Sequence, residues 1–136
     1  MKRNISFAFT LIELLVVICI IVVLASLLSP AARLAYKEAQ ERRAAAVVGS
    51  LATAINMYYT DYGSLPSTAG WPAALVSTTS NYGPYMDTKD YNASSGNFID
   101  PWGSAYRYSN SSSRAYNVWS LGPDKSTGTS DDIGSW

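Results

Sequence analysis

Histidine is absent from this 136-residue chain, and cysteine occurs once, at Cys19. Without histidine, the side chain that most often works as a general base near neutral pH is missing. The serines fall in loop-like stretches with no base in view, and Cys19 lies inside a long apolar run where it reads as a small packing residue. Asp131 and Asp132 are the one carboxylate pair that glycoside hydrolysis could use, but adjacent residues on a Gly-rich loop suit ligands better. No enzyme is expected. A single cysteine also excludes an internal disulfide, so the C-terminal half must be held together by something else. Charge is sparse and balanced, ten Lys and Arg against ten Asp and Glu, and the basic patch that nucleic acid requires is missing.

What the chain does have is a hydrophobic run over residues 9–29, FTLIELLVVICIIVVLASLLS, interrupted by one charge, Glu13. About twenty apolar residues suffice to cross a bilayer as a helix. A carboxylate within such a span costs roughly 2.5–3.5 kcal/mol on the lenient insertion scales, so it ordinarily has a partner and a function. Lys2 and Arg3 precede the run and favour a cytoplasmic N-terminus, with the following residues exported. A cleaved secretory signal peptide fits less well, because the run is long and no small-x-small cleavage pattern follows before Pro30. An ordinary signal anchor would leave Glu13 without a role.

The block Ala8-Phe9-Thr10-Leu11-Ile12-Glu13-Leu14-Leu15-Val16-Val17, behind a short basic leader, resembles the class III signal of type IV pilins and type II secretion pseudopilins. The resemblance implies that a prepilin peptidase cuts between Ala8 and Phe9 on the cytoplasmic side and methylates the new N-terminus at Phe9. Ala8 stands where the family usually has Gly. Cleavage would place an α-amino cation four residues before Glu13, about one helical turn away. The family resemblance implies that Glu13 of one subunit meets the N-terminus of its neighbour and sets the stagger; a pair within one subunit or a protonated Glu13 are the alternatives. Related filament proteins also carry a proline near Pro30, which is expected to kink or open the helix. Losing Lys2 and Arg3 with the leader leaves eight basic against ten acidic side chains.

Beyond Pro30 the helical pattern continues over 31–60. Glu38–Arg42 and Lys37–Glu41 are spaced for i,i+4 pairs, and Val48, Leu51, Ile55, Tyr58 and Tyr62 form one apolar stripe expected to pack on a globular domain at 61–136. Gly63 and Pro66 end the helix. Trp71 to Val76 predicts a short second helix with Pro72 in its first turn. Residues 77–97 read as a long loop with at most one short element. Asp100-Pro101-Trp102-Gly103 is a turn, followed by a strand over 104–108, a hairpin loop at 110–113 and a second strand over 115–121. Tyr106, Tyr108, Tyr116, Val118 and Trp119 are the candidates for the faces of this small antiparallel sheet. The expected fold is α+β, a long N-terminal helix laid on that sheet.

The C-terminal segment 121–136 brings Asp124, Asp131 and Asp132 onto a loop rich in Gly, Ser and Thr. Calcium takes six to eight oxygen ligands and tolerates irregular loops, though the EF-hand spacing is absent. Residue chemistry alone leaves a metal site and a solvated acidic loop both open. Taken with Asp100-Pro101-Trp102-Gly103 and Ser120-Leu121-Gly122-Pro123-Asp124, the ending Asp131-Asp132-Ile133-Gly134-Ser135-Trp136 resembles the major pseudopilin family of type II secretion systems. That resemblance implies one Ca²⁺ held by the side chains of Asp124, Asp131 and Asp132 and the carbonyls of Leu121, Ser126 and Thr129. A divalent ion would turn the repulsion of the three carboxylates into a cross-link, and Ile133 and Trp136 are then expected to seal the loop onto the domain. The resemblance also implies a single-pass inner-membrane subunit that assembles with copies of itself and with minor pseudopilins into a periplasmic filament. The machinery implied around it is an inner-membrane assembly platform and an outer-membrane secretin. A type IV pilin or minor pilin-like subunit serving adhesion, motility or DNA uptake is the alternative; so is a membrane-anchored calcium module that does not assemble.

Overall fold

The structure, a computed structural model, describes residues 9–78 and 81–136, without the side chains of 27–31. Two helices precede five strands: α1 Leu11–Tyr62, α2 Trp71–Val76, β1 Tyr91–Asn92, β2 Asn97–Phe98, β3 Arg107–Asn110, β4 Tyr116–Ser120 and β5 Ile133–Gly134. The expected α+β class is the one observed. The chain divides into two compact units, 1–37 and 38–136.

In the first unit, α1 opens on Thr10. Its large apolar side chains stand exposed from Leu11, 83% accessible, to Leu24, 55% accessible. Among the described residues no helix is long and apolar enough to cross a membrane. The described apolar stretch covers 11–26 and continues into 27–31, whose side chains lie outside the description. The expectation for the leader with Ala8 also falls outside it, while the α1 backbone is helical through Pro30 and does not open there.

In the second unit, the α1 stripe is buried at Val48, Leu51 and Ile55, joined by Ala44 and Ala54 between its turns. These pack with Trp71 and Leu75 of α2, Phe98 of β2, and Tyr106, Tyr108 and Val118 of the β3–β4 region in one hydrophobic core. The stripe ends sooner than its periodicity predicts: Tyr62 is exposed and stacks on Tyr58 with ring centroids 4.4 Å apart. Gly63, at φ +68°, stops α1 by donating its N–H to the Tyr59 carbonyl at 2.8 Å, a conformation that glycine adopts without steric cost. Pro72 sits in the first turn of α2 as expected.

The loop expected over 77–97 holds half of a two-residue hairpin, with Tyr91 facing Phe98 and Asn92 facing Asn97 across antiparallel strands. The main sheet runs β3-β4-β5, all neighbours antiparallel. β3 begins at Arg107, three residues later than the sequence pattern suggests. β5 was not anticipated; it returns from the C-terminal loop to pair Ile133 with Ser120 and Gly134 with Trp119. Along β4, Val118 and Ser120 face inward and fully buried, while Trp119 is only half-buried. The Tyr116 hydroxyl donates to the Ala52 carbonyl on α1 at 2.9 Å. Tyr116→Phe is expected to lower stability by about 1 kcal/mol, read by urea denaturation, because a part-buried hydrogen bond between the sheet and α1 is lost.

Candidate functional site

Two places carry the functional expectations: the loop joining β4 to β5, and the first turn of α1. The loop leaves β4 at Ser120, a residue with no accessible surface, whose hydroxyl donates to Asp100 Oδ2 at 2.6 Å and accepts the Gly122 N–H at 3.1 Å. Asp100 is itself buried. Its Oδ1 accepts the N–H groups of Trp102 at 3.1 Å and Ser104 at 2.7 Å, and the turn closes by Gly103 N–H to the Asp100 carbonyl at 3.0 Å. Gly122 has φ +66°, and a Cβ there would collide with the carbonyl oxygen and carboxylate of Asp131. Gly122→Ala is therefore expected to lower the melting temperature measurably, at a cost of about 1–3 kcal/mol from the left-handed backbone alone.

Within the loop the three acidic residues each capture donors of the loop itself. Asp131 Oδ2 accepts the Asp124 N–H at 3.2 Å, and Oδ1 accepts the Thr129 hydroxyl at 2.7 Å. Asp124 Oδ1 accepts the Ser126 N–H at 2.8 Å, and Asp132 Oδ2 accepts the Gly128 N–H at 2.6 Å. The Thr129 hydroxyl, aided by the Asp124 N–H, holds the Asp131 carboxyl below the usual carboxylate range against a smaller opposing effect of desolvation. Lys125 adopts φ +59° and Gly128 φ +83°, so the loop turns tightly at both positions. A cleft of about 320 Å³, lined by Glu41, Arg42, Ala45, Asp131 and Ile133, sets Asp131 beside one turn of α1.

Among the described residues, no group of three or more His, Cys, Asp or Glu side chains is gathered so as to hold a metal ion. Asp124, Asp131 and Asp132 share one loop but point at different amides. Of the other expected ligands, Leu121 is buried, the Ser126 carbonyl lies 3.2 Å from the Thr129 hydroxyl, and the Thr129 carbonyl accepts the Asp132 N–H at 3.3 Å. One observation fits a cation. Asp132 Oδ1 is buried and, among the described residues, has no hydrogen-bond partner. A buried carboxylate oxygen left unpaired is costly. A hard divalent ion satisfies such an oxygen, and carboxylates with carbonyls are the donors calcium prefers. Trp136 is 72% exposed, lies on Gly134, approaches Trp119 with centroids 6.4 Å apart, and lines a shallow cleft with Thr127, Gly128 and Asp132 of the loop.

At the other end, Glu13 Oε2 accepts the Thr10 N–H at 2.9 Å and the Thr10 hydroxyl at 2.7 Å, and the Glu13 N–H donates back to Thr10 Oγ1 at 3.3 Å. This is a reciprocal capping box, which satisfies backbone donors that a helix start leaves orphaned. The Thr-x-x-Glu spacing that signals it is legible in the sequence. Phe9 is exposed just before it.

Residues 34–136 match the family described as type II secretion system (T2SS), protein G. The chain is 37% identical over 134 residues to the type II secretion system core protein G of Pectobacterium carotovorum subsp. carotovorum, covering 94% of this chain and 83% of that protein. With the protein of the same name from Pseudomonas aeruginosa the identity is 34%, covering 100% of this chain and 99% of the relative. Its fold is similar to the crystal structure of the major pseudopilin from the type 2 secretion system of enterohaemorrhagic Escherichia coli, with a TM-score of 0.52 at 27% identity over 74% of this chain and 86% of that one. A helix opening on a capped acidic turn, an α+β unit closed by an acidic C-terminal loop, and these matches across nearly the whole length lead to one assignment: the chain belongs to the type II secretion system protein G family.

Proposed function

We propose that this chain is the major structural subunit of a type II secretion pseudopilus, a filament that drives folded proteins across the outer membrane. Membership of the protein G family and likeness to a major pseudopilin support that reading. The observation that carries it is the first unit of α1, where a continuous apolar surface from Leu11 to Leu24 stands exposed around one carboxylate. Exposed apolar surface of that extent needs either lipid or another protein. In this reading the membrane takes it first. The subunit is anchored in the bacterial inner membrane with residues 38–136 in the periplasm, a prepilin peptidase cuts after Ala8 and methylates Phe9, and α1 then packs against other copies. Glu13 supplies the charge that pairs with a neighbour's N-terminal amine. Minor pseudopilins, the assembly platform and the outer-membrane secretin are the further partners, and no catalytic step belongs to this chain.

The same reading assigns one Ca²⁺ to the β4–β5 loop, held by Asp124, Asp131 and Asp132 and by the carbonyls of Leu121, Ser126 and Thr129. The unpaired Asp132 Oδ1 and the all-oxygen donor set support it. When bound, the ion supplies a cross-link to a chain that has no disulfide to offer. The carboxylates would exchange loop amides for the cation, and their mutual repulsion would change to attraction through it.

Assembly is tested by cysteine cross-linking. In a Cys19→Ser background, pairs of cysteines scanned between positions 11 and 24 should give a ladder of covalent multimers in cells that carry the secretion machinery. Monomers alone at every pair would leave a membrane-anchored module that does not polymerise.

A further inference from the structure

Asp100 is a buried carboxylate with more bonding than its own turn requires. The 100–103 turn needs an acceptor for the N–H groups of Trp102 and Ser104, and Oδ1 alone takes both. Oδ2 reaches out of the turn to the Ser120 hydroxyl, the shortest link in the chain of contacts at 2.6 Å. A carboxylate can only accept, so the single hydroxyl proton of Ser120 is committed to Asp100, and its lone pairs are turned toward the Gly122 N–H. Ser120 is also pinned through the sheet, where it pairs with Ile133. Leu121 thus lies between two clamped neighbours. Beyond it, Gly122 is pressed so closely on Asp131 that no side chain fits between them. The turn carrying this carboxylate is held to α1 as well, through Gln40 Nε2 donating to the Pro101 carbonyl at 3.4 Å.

We propose that Asp100 is a positioning residue for the calcium loop, acting through the Ser120 hydroxyl to fix the Leu121–Gly122 backbone against which Asp131 and the ion assemble. The proposal rests on the calcium reading above and extends it to two residues that are not ligands. Such outer partners typically carry 10–100-fold in metal affinity, because they set the direction of the groups that do touch the ion. The polarity matters as much as the contact. Asp100→Asn would present an N–H to Ser120 in place of an acceptor, freeing the hydroxyl proton to turn away and loosening the bond to Gly122.

The test uses the full-length chain in detergent, with Ca²⁺ itself as the probe. Calcium affinity is measured by titration calorimetry, and thermal melts are recorded in calcium and in excess chelator. The unaltered protein should bind one ion. Ser120→Ala and Asp100→Asn should each weaken binding about tenfold or more and shrink the calcium-dependent rise in melting temperature. A merely structural role would lower both melts by the same amount and leave affinity unchanged, and that result would overturn the proposal. A third measurement needs no variant: in chelator, the Gly122 amide should exchange hydrogen slowly, with the sheet, while the amides of 124–128 exchange fast. Fast exchange at Gly122 would overturn the proposal even if both variants failed to fold. Absence of calcium binding by the unaltered protein would remove the calcium reading itself and the proposal with it.

Discussion

Replacing Glu13 with leucine is expected to abolish filament assembly and secretion while leaving the thermal melt of the 38–136 unit unchanged. Glu13 is the only charge in the 9–29 run, and leucine would make that run cheaper to place in a membrane by roughly 2.5–3.5 kcal/mol. Loss of function from a substitution that favours insertion would show that the carboxylate acts after insertion. Two roles compete for it. In the capping box, Glu13 serves its own helix through Thr10, an effect of about 0.5–2 kcal/mol. In a filament, it neutralises the amine of another subunit. Both bonds from Thr10 end on Oε2, so in a filament Oε1 is the oxygen that a neighbour's amine would take. Thr10→Ala separates the roles, since it breaks the box and keeps the charge. Filaments counted by electron microscopy should persist in Thr10→Ala and vanish in Glu13→Leu. Equal loss in both would assign Glu13 to the cap, and normal filaments in Glu13→Leu would remove it from assembly altogether.

Calcium is expected to raise the melting temperature of the unaltered chain by roughly 10–20 °C, and Asp124→Ala to erase that response. A ligand present at a hundredfold excess over its dissociation constant stabilises the folded state by about 2.7 kcal/mol. For a domain of about a hundred residues each kcal/mol shifts the midpoint by about 4–8 °C. The bonds already made within the loop set the direction of any departure from this figure. Asp124, Asp131 and Asp132 accept N–H and hydroxyl donors that the ion must displace, so the gain falls toward the lower end. Asp124→Ala in chelator should cost far less than the calcium increment, because it removes one exposed contact to Ser126. A calcium-insensitive melt of the unaltered chain would mean that the loop is closed by its own hydrogen bonds and needs no ion.

Much of the local structure was legible because it depends on neighbours in sequence. The Gly63 stop, Pro72 in the first turn of α2, the 100–103 turn and the Val48–Leu51–Ile55 stripe all follow from spacings of four residues or fewer. The hairpin at 91–98 was not legible, since two-residue strands carry no periodicity to detect. Nor was β5, because Ile133 and Gly134 sit in a stretch whose composition is that of a loop, and their pairing depends on β4 being there to receive them. The three carboxylates of the acidic loop are visible in the sequence, but sequence could not say that each faces a different amide.

By itself, then, the sequence determined the broad outline: one apolar helix with a lone carboxylate, no histidine, a single cysteine and so no internal disulfide, and an acidic ending on a small α+β unit. Those properties are sums over composition and short spacings, so no fold is needed to read them. Only the tertiary structure decided which way β4 faces, burying Val118 and Ser120 and leaving Trp119 outside, and that Asp100 spends one oxygen on Ser120 twenty residues away. Alternation along a strand has two equivalent phases, and a hydrogen bond between distant segments exists only once other contacts have brought them together. Both are settled by what the rest of the chain packs against.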